Sequence, residues 1–290
     1  TPFPKTPGLS ARPGVTSTTS HPETPSMHPK GKTIWITGAS SGIGRALALA
    51  LAKEGGSLLL SARHSDRLEA VAAECRELGA PALVLPLDLA TPGAPAQGAR
   101  DAEILLGRID MLVSAAGLGQ RGSGLATDRA VAERILAVDF WAATELARAV
   151  APGMLARGDG QIVVVTGVLG KFGAPNRAYY SAAKHALHGW FDSLREETWK
   201  QGLTITLLVP GWVKTGISAA ALEADGRPHG TTDPGQLGGL APEECARRAL
   251  AAIIAGRDEQ LIGGYECGGV YLKRFWPGLL KWFIRRRGIG

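Results

Sequence analysis

The chain is 290 residues long, 45% hydrophobic and 20% charged, with a formal net charge of +6. That length and apolar content suit one large α/β domain with a substantial core, and no apolar run is long enough to cross a bilayer. Six basic residues (Lys273, Arg274, Lys281, Arg285, Arg286 and Arg287) fall in the last twenty positions with no acid among them, so the rest of the chain is balanced and a nucleic-acid surface is not expected.

From the start, Thr1 to Pro29 is rich in Pro, Thr, Ser and Gly and has no apolar period. Such a segment buries too little surface to offset its ordering entropy, and residues 1–29 read as a disordered extension. The segment has neither the apolar core of a secretory signal nor the Arg-rich amphipathic pattern of a transit peptide. The three cysteines, Cys75, Cys245 and Cys267, lack disulfide or metal-ligand spacing. A reducing, cytoplasmic compartment and no metal are therefore expected.

Short apolar runs then alternate with helical patterns over 30–270. Strands are predicted at Thr33–Thr37, Ser57–Ser61, Ala82–Leu87, Met111–Ser114, Gln161–Thr166, Thr204–Val209 and Gln260–Ile262. They are apolar on both parities, as parallel strands covered on both faces require. The clearest helix is Asp66–Leu78, with Leu68, Val71, Ala72, Cys75 and Leu78 at helical spacing. Ser65 or Asp66 is placed to cap it, Asp66 and Glu69 have capping-box spacing, and Gly79 ends it. The alternation predicts a doubly wound parallel sheet, the Rossmann fold, in a single domain.

Between Thr215 and Leu240 the periodicity fails, and 216–240 reads as a mobile lid over the substrate, or as a plain surface loop. In the tail, 271–290, Trp276, Leu279, Leu280, Phe283 and Ile284 recur at helical spacing among the basic residues. This basic amphipathic pattern suits peripheral contact with an anionic membrane, or packing over the substrate pocket or a partner subunit.

Chemistry is carried by three motifs. The first is Thr37-Gly38-Ala39-Ser40-Ser41-Gly42-Ile43-Gly44, which follows an apolar strand and opens a helix. Glycine suits a backbone that turns sharply and approaches a pyrophosphate, and a helix N-terminus offers that anion free N–H groups. The second strand ends in Leu60-Ser61-Ala62-Arg63 with no carboxylate to hold a ribose diol; Arg63, with Arg45 nearby, favours a 2′-phosphate and hence NADP. Asp88, followed by Leu89, is placed to accept from an adenine amino group or to cap the next turn.

The second motif is Tyr180-Ser181-Ala182-Ala183-Lys184, where Tyr180 and Lys184 share a helix face. A nearby ammonium favours phenolate and is expected to lower the tyrosine pKa from about 10. Tyr180 would then serve as acid/base, with Lys184 also binding the nicotinamide ribose. Tyr179, His185 and His188 read as packing or helix surface. The third motif is Pro210-Gly211-Trp212-Val213-Lys214-Thr215.

With these motifs in this order, the chain resembles the short-chain dehydrogenase/reductase family from about Gly31 to Ala255. Val163–Glu196 and Ser61-Ala62-Arg63 are particularly similar to the NADPH-linked branch with 11β-hydroxysteroid dehydrogenase-like and DHRS7-like reductases. The resemblance implies that Gly38, Ser40, Ser41, Gly42, Ile43, Gly44, Asp88, Leu89, Ala116, Gly117, Pro210 and Gly211 line the cofactor. It places Val213 and Thr215 on the nicotinamide amide, Arg63 and Ser40 at the 2′-phosphate, and implies a homodimer or homotetramer.

Three positions depart from the family pattern. Ser114-Ala115-Ala116-Gly117 stands where the family has N-A-G or N-N-A-G, whose asparagine holds the central sheet together. Asp139 replaces the asparagine that supports the lysine through a water, and is expected to raise the lysine pKa. Gly167 replaces the catalytic serine. Losing one preorganised donor costs about 10²–10³ in turnover, roughly 3–4 kcal/mol. Thr166, a backbone N–H or a water are the available substitutes. The function expected is an NADPH-dependent carbonyl reductase or alcohol dehydrogenase for a small or medium apolar substrate. The alternatives are a catalytically weak cofactor-binding protein and a peripheral membrane protein using its tail.

Overall fold

The seven apolar runs become seven parallel strands in a computed structural model that describes residues 27–287. These are β1 (Thr33–Thr37), β2 (Ser57–Ser61), β3 (Ala82–Val84), β4 (Met111–Ser114), β5 (Gly160–Val165), β6 (Leu203–Pro210) and β7 (Glu259–Ile262). The helices are α1 (Gly42–Lys53), α2 (Ser65–Glu77), α3 (Ala94–Leu106), α4 (Arg129–Leu136), α5 (Ala142–Arg157), α6 (Ala178–Thr198), α7 (Pro234–Leu237), α8 (Pro242–Ile254), α9 (Gly268–Phe275) and α10 (Pro277–Arg287). The expected extension falls outside the described residues up to position 26, but Met27 is buried in the core.

Strand order is β3-β2-β1-β4-β5-β6-β7. The chain reverses direction across the sheet between β1 and β4, which opens a crevice at their carboxyl ends. Alternate side chains on each strand feed two cores. Ile34 and Ile36 join Leu47, Leu51, Leu68 and Ala249 on the face covered by α1, α2 and α8. Trp35 joins Leu146, Met154, Leu187 and Phe191 on the face covered by α3, α5 and α6. Among the described residues no helix is long and apolar enough to cross a membrane, and no group of metal-ligating side chains occurs.

The third strand stops three residues short of its expected end. Leu85 and Leu87 still donate to the Leu60 and Ala62 carbonyls, at 2.9 Å each, so the contact with β2 continues past the regular strand; Pro86 between them lies on the sheet edge, where its missing N–H would have faced away from β2. The expected caps of α2 do not form: His64 is the N-cap residue, no side chain caps the helix, and Glu69 pairs with Arg76 at 2.5 Å instead. Its C-terminus behaves as expected. Gly79 has φ +86°, and Ala80 and Gly79 donate to the Cys75 and Arg76 carbonyls at 3.1 and 2.9 Å.

Segment 216–240 is irregular but anchored. Leu222 pairs with Gln120 and Pro228, packs against Tyr179 and Tyr180, and exchanges backbone hydrogen bonds with Gly119 and Arg121. The tail turns back on the domain, and Leu280 is buried with Val168, Phe172 and Val209.

Candidate active site

At the carboxyl edge of the sheet the glycine turn packs against the chain leaving β4. A Cβ added to Gly38 (φ +71°) would lie 2.6 Å from the Ala116 nitrogen, and one on Gly44 would lie 2.2 Å from the Gly38 oxygen. No side chain caps the start of α1, so its first-turn N–H groups face the crevice. Thr215 reaches over from the loop after β6: a Cβ on Gly42 would meet its methyl at 3.1 Å. Ser40, Ser41, Ile43, Ala116, Gly117 and Pro210 occupy the same edge. Gly211 packs against Glu266, whose carboxylate accepts from the Trp212 N–H at 3.1 Å. Val213 and Leu89 are buried in the two cores, so their side chains serve packing.

Arg63 is exposed after β2 and has no hydrogen-bond or ion-pair partner among the described residues. Arg45 is instead paired with Glu74 at 2.5 Å. Asp88 accepts from the Ala90 N–H at 3.0 Å, the turn-capping role. The uncapped helix start, the close-packed glycines and the unpartnered guanidinium fit a pyrophosphate-bearing dinucleotide.

Tyr180 and Lys184 sit one turn apart near the start of α6, with the Lys184 nitrogen 5.6 Å from the tyrosine ring centre. Lys184 contacts Asp139 directly at 3.0 Å, with no water between, and donates to the Val165 carbonyl at 3.2 Å. Asp139 lies in a π-turn, Ala137–Trp141, inserted between α4 and α5, and its second oxygen accepts from the Leu118 N–H at 2.9 Å. Such a turn re-aims one side chain within a helix.

Burial opposes both charges of this pair. Asp139, Tyr180 and the hydrogen bond together nevertheless hold the Lys184 ammonium above its ordinary value. Burial lifts the Asp139 carboxyl, and Lys184 and Leu118 pull it partly back. The expected lowering of the phenol is not met: burial raises Tyr180, and Lys184 opposes it without overcoming it, because Asp139 shares the ammonium's charge. In the protein without ligand, Tyr180 is held as a phenol.

Tyr180 opens on a cavity of about 600 Å³ whose apolar wall includes Val168, Leu169, Phe172, Leu272 and Leu280. Its polar wall is a cluster that the sequence did not disclose. Arg121 and Arg177 both pair with Asp233 from the 216–240 segment. Arg121 also donates to Ser218 at 2.9 Å. Burial first, then Arg121, brings the Arg177 guanidinium down to about 10, still charged at neutral pH.

Gln120 was also missed. It is fully buried, and its side-chain oxygen accepts the Tyr179 and Tyr180 N–H groups at 2.8 and 3.2 Å, capping α6 from a distant loop. Its amide donates to Thr127 at 3.0 Å. Gln120→Ala should leave these N–H groups unpartnered, lower the melting midpoint by several degrees and reduce kcat about tenfold, with Gln120→Glu restoring much of both. Melting curves beside steady-state kinetics check this; unchanged kcat in the alanine variant would show that the cap does not position the tyrosine.

Gly167 borders the same cavity. It has φ +142°, a conformation that suits glycine, and a Cβ there would lie 3.7 Å from the Tyr180 hydroxyl. The vacant position is therefore where a donor beside the tyrosine would stand. Thr166 does not fill it, because its hydroxyl donates to the Leu208 carbonyl at 3.0 Å. The Thr166 N–H donates to the same carbonyl at 2.8 Å, and the residue is buried.

A seven-stranded parallel sheet with a glycine-rich first turn, and a tyrosine–lysine pair at its carboxyl edge, defines a Rossmann-type oxidoreductase. The short chain dehydrogenase family model matches residues 32–226, and the chain belongs to the short-chain dehydrogenase/reductase family. It is 36% identical over 266 residues to the dehydrogenase/reductase SDR family protein 7-like of Anopheles gambiae, covering 90% of this chain and 84% of that one. Among solved structures, a Burkholderia phymatum family member in complex with NAD has a TM-score of 0.77 at 25% identity, over 87% of this chain and 96% of that one. A Sphingobium yanoikuyae short-chain dehydrogenase in complex with NADPH has a TM-score of 0.72 at 27% identity, over 89% and 94%.

Proposed function

We propose that this protein is an NADPH-dependent oxidoreductase that interconverts a ketone or aldehyde with its alcohol. The observation that carries the reading is the Tyr180 hydroxyl, which opens on the cavity beside an ammonium fixed by Asp139. A bound nicotinamide dinucleotide would supply the hydride. Arg63 and Ser40 would hold its 2′-phosphate, the start of α1 its pyrophosphate, and Thr215 its carboxamide.

Tyr180 donates its proton to the substrate oxygen during reduction and recovers one from solvent. Lys184 has three donors, of which Val165 and Asp139 engage two; the third is left for the nicotinamide ribose. Segment 216–240, tied through Asp233 to Arg121 and Arg177, closes the substrate side of the cavity as its lid. The apolar wall suits a small or medium apolar carbonyl compound. NADPH consumption across a carbonyl panel tests the reading, and no turnover by the folded, cofactor-bound protein would reject it.

A second reading, a catalytically weak cofactor-binding protein, is favoured by Gly167. Gly167→Ser discriminates the two. The new side chain would sit beside the Tyr180 hydroxyl but at strained backbone, which costs about 1–3 kcal/mol. For the enzyme, turnover should rise by about tenfold to a hundredfold while the melting midpoint falls by a few degrees. A protein inactive both before and after the substitution would be a binding protein.

A further inference from the structure

The two C-terminal helices have two faces, and cavity formation accounts for one. Leu280 is 6% exposed, and Leu272, Phe283 and Ile284 accompany it against the domain. The outer face is unexplained by the fold. Tyr271 is 57% exposed, Phe275 63%, Trp276 63%, Leu279 46% and Trp282 47%, in a protein whose Trp35 is fully buried. Tyr271 and Phe275 are one turn apart on α9, and Leu279 and Trp282 one turn apart on α10.

Cations are interleaved with these side chains. Lys273, Arg274, Lys281, Arg285 and Arg286 are all exposed, and the Arg286 guanidinium lies 4.9 Å over the Trp282 ring. No acidic residue follows Glu266. A large apolar surface of this kind marks an interaction site, and its charge selects an anionic partner. A second copy of the chain is a poor match, because a two-fold contact would press the same five cations against each other. Exposed tryptophan and phenylalanine flanked by lysine and arginine stems match a lipid interface, where rings enter the headgroup layer and cations reach phosphates.

We propose that the outer face of α9 and α10 docks on an anionic lipid surface. One helix then has its inner side on the substrate cavity and its outer side on the bilayer, about one helix diameter, roughly 10 Å, apart. An apolar ligand would meet the protein where such ligands concentrate. The docking stands on exposure and charge alone and does not require the proposed reaction.

The test is co-sedimentation of the full chain with vesicles of phosphatidylcholine, with and without phosphatidylserine. One variant carries Phe275→Ser, Trp276→Ser and Trp282→Ser; a second carries Lys273→Gln, Arg274→Gln, Lys281→Gln and Arg285→Gln. All seven positions are exposed, and matching circular dichroism and melting curves verify the fold. The wild type should bind phosphatidylserine vesicles at least about tenfold more tightly than neutral ones, with binding weakened by salt and a blue shift of tryptophan emission. The serine variant should lose binding and the shift, and the glutamine variant the preference for anionic lipid. Absent vesicle binding would overturn the proposal, as would binding that both variants retain. So would loss of a wild-type dimer in the variants without any vesicle binding, which would make the face a self-contact. Capture by soluble polyglutamate in place of vesicles would reassign it to an acidic protein.

Discussion

Replacement of Tyr180 by phenylalanine should reduce carbonyl reduction by about 10²–10⁴-fold, with little change in nucleotide affinity or melting midpoint. The ring packs beside Val131, Ile135 and Leu222, and phenylalanine keeps that packing. The hydroxyl has no hydrogen-bond partner among the described residues, so removing it orphans no buried group. Structure and chemistry are therefore separable at this position. The same hydroxyl sets the pH behaviour. Burial holds it above the ordinary tyrosine value of 10.0, so the phenol remains protonated through neutrality and reduction should be level there. Alcohol oxidation needs the phenolate and should climb as pH rises toward and beyond 10. Steady-state rates in both directions check this, beside cofactor titration and melting curves. Turnover unchanged in the phenylalanine variant would remove Tyr180 from the reaction.

Asp139→Ala should carry the largest cost in stability. The Lys184 side chain is 4% exposed and would keep the Val165 carbonyl as its remaining oxygen partner, while the Leu118 N–H would lose its acceptor. Breaking a buried pair by removing one member costs about 3–5 kcal/mol, which in a domain of this size lowers the melting midpoint by roughly ten degrees. Asp139→Asn keeps an acceptor for Leu118 and should recover part of the loss. The pH dependence separates charge from packing. The folded Lys184 value lies above its ordinary 10.5, so its share of stability is complete below pH 10.5 and is lost as pH rises through the folded value. The gap between wild type and Asp139→Asn should persist at neutral pH and narrow in alkali. A gap that is flat into strong alkali would mean that the ion pair does not stabilise the fold.

The parts of the molecule that were legible in the sequence are those whose physics is local. The parallel sheet follows from runs apolar on both parities. The glycine turn follows from a steric need at Gly38 and Gly44, and the meeting of Tyr180 with Lys184 from the period of a helix. Local rules also misled where the backbone had other partners. Asp66 and Glu69 have capping-box spacing, yet Glu69 pairs with Arg76 and His64 stands at the N-cap.

The sequence alone determined the sheet, the dinucleotide crevice and the candidate acid/base pair, because spacing within one element determines which side chains share a face. Tertiary structure decided everything that depends on segments far apart meeting in a low-dielectric interior. That includes Gln120 capping α6, Arg121 and Arg177 converging on Asp233, and a π-turn aiming Asp139 at Lys184. It also includes the protonated state of Tyr180, since desolvation is a property of the assembled pocket and no spacing in the chain reports it.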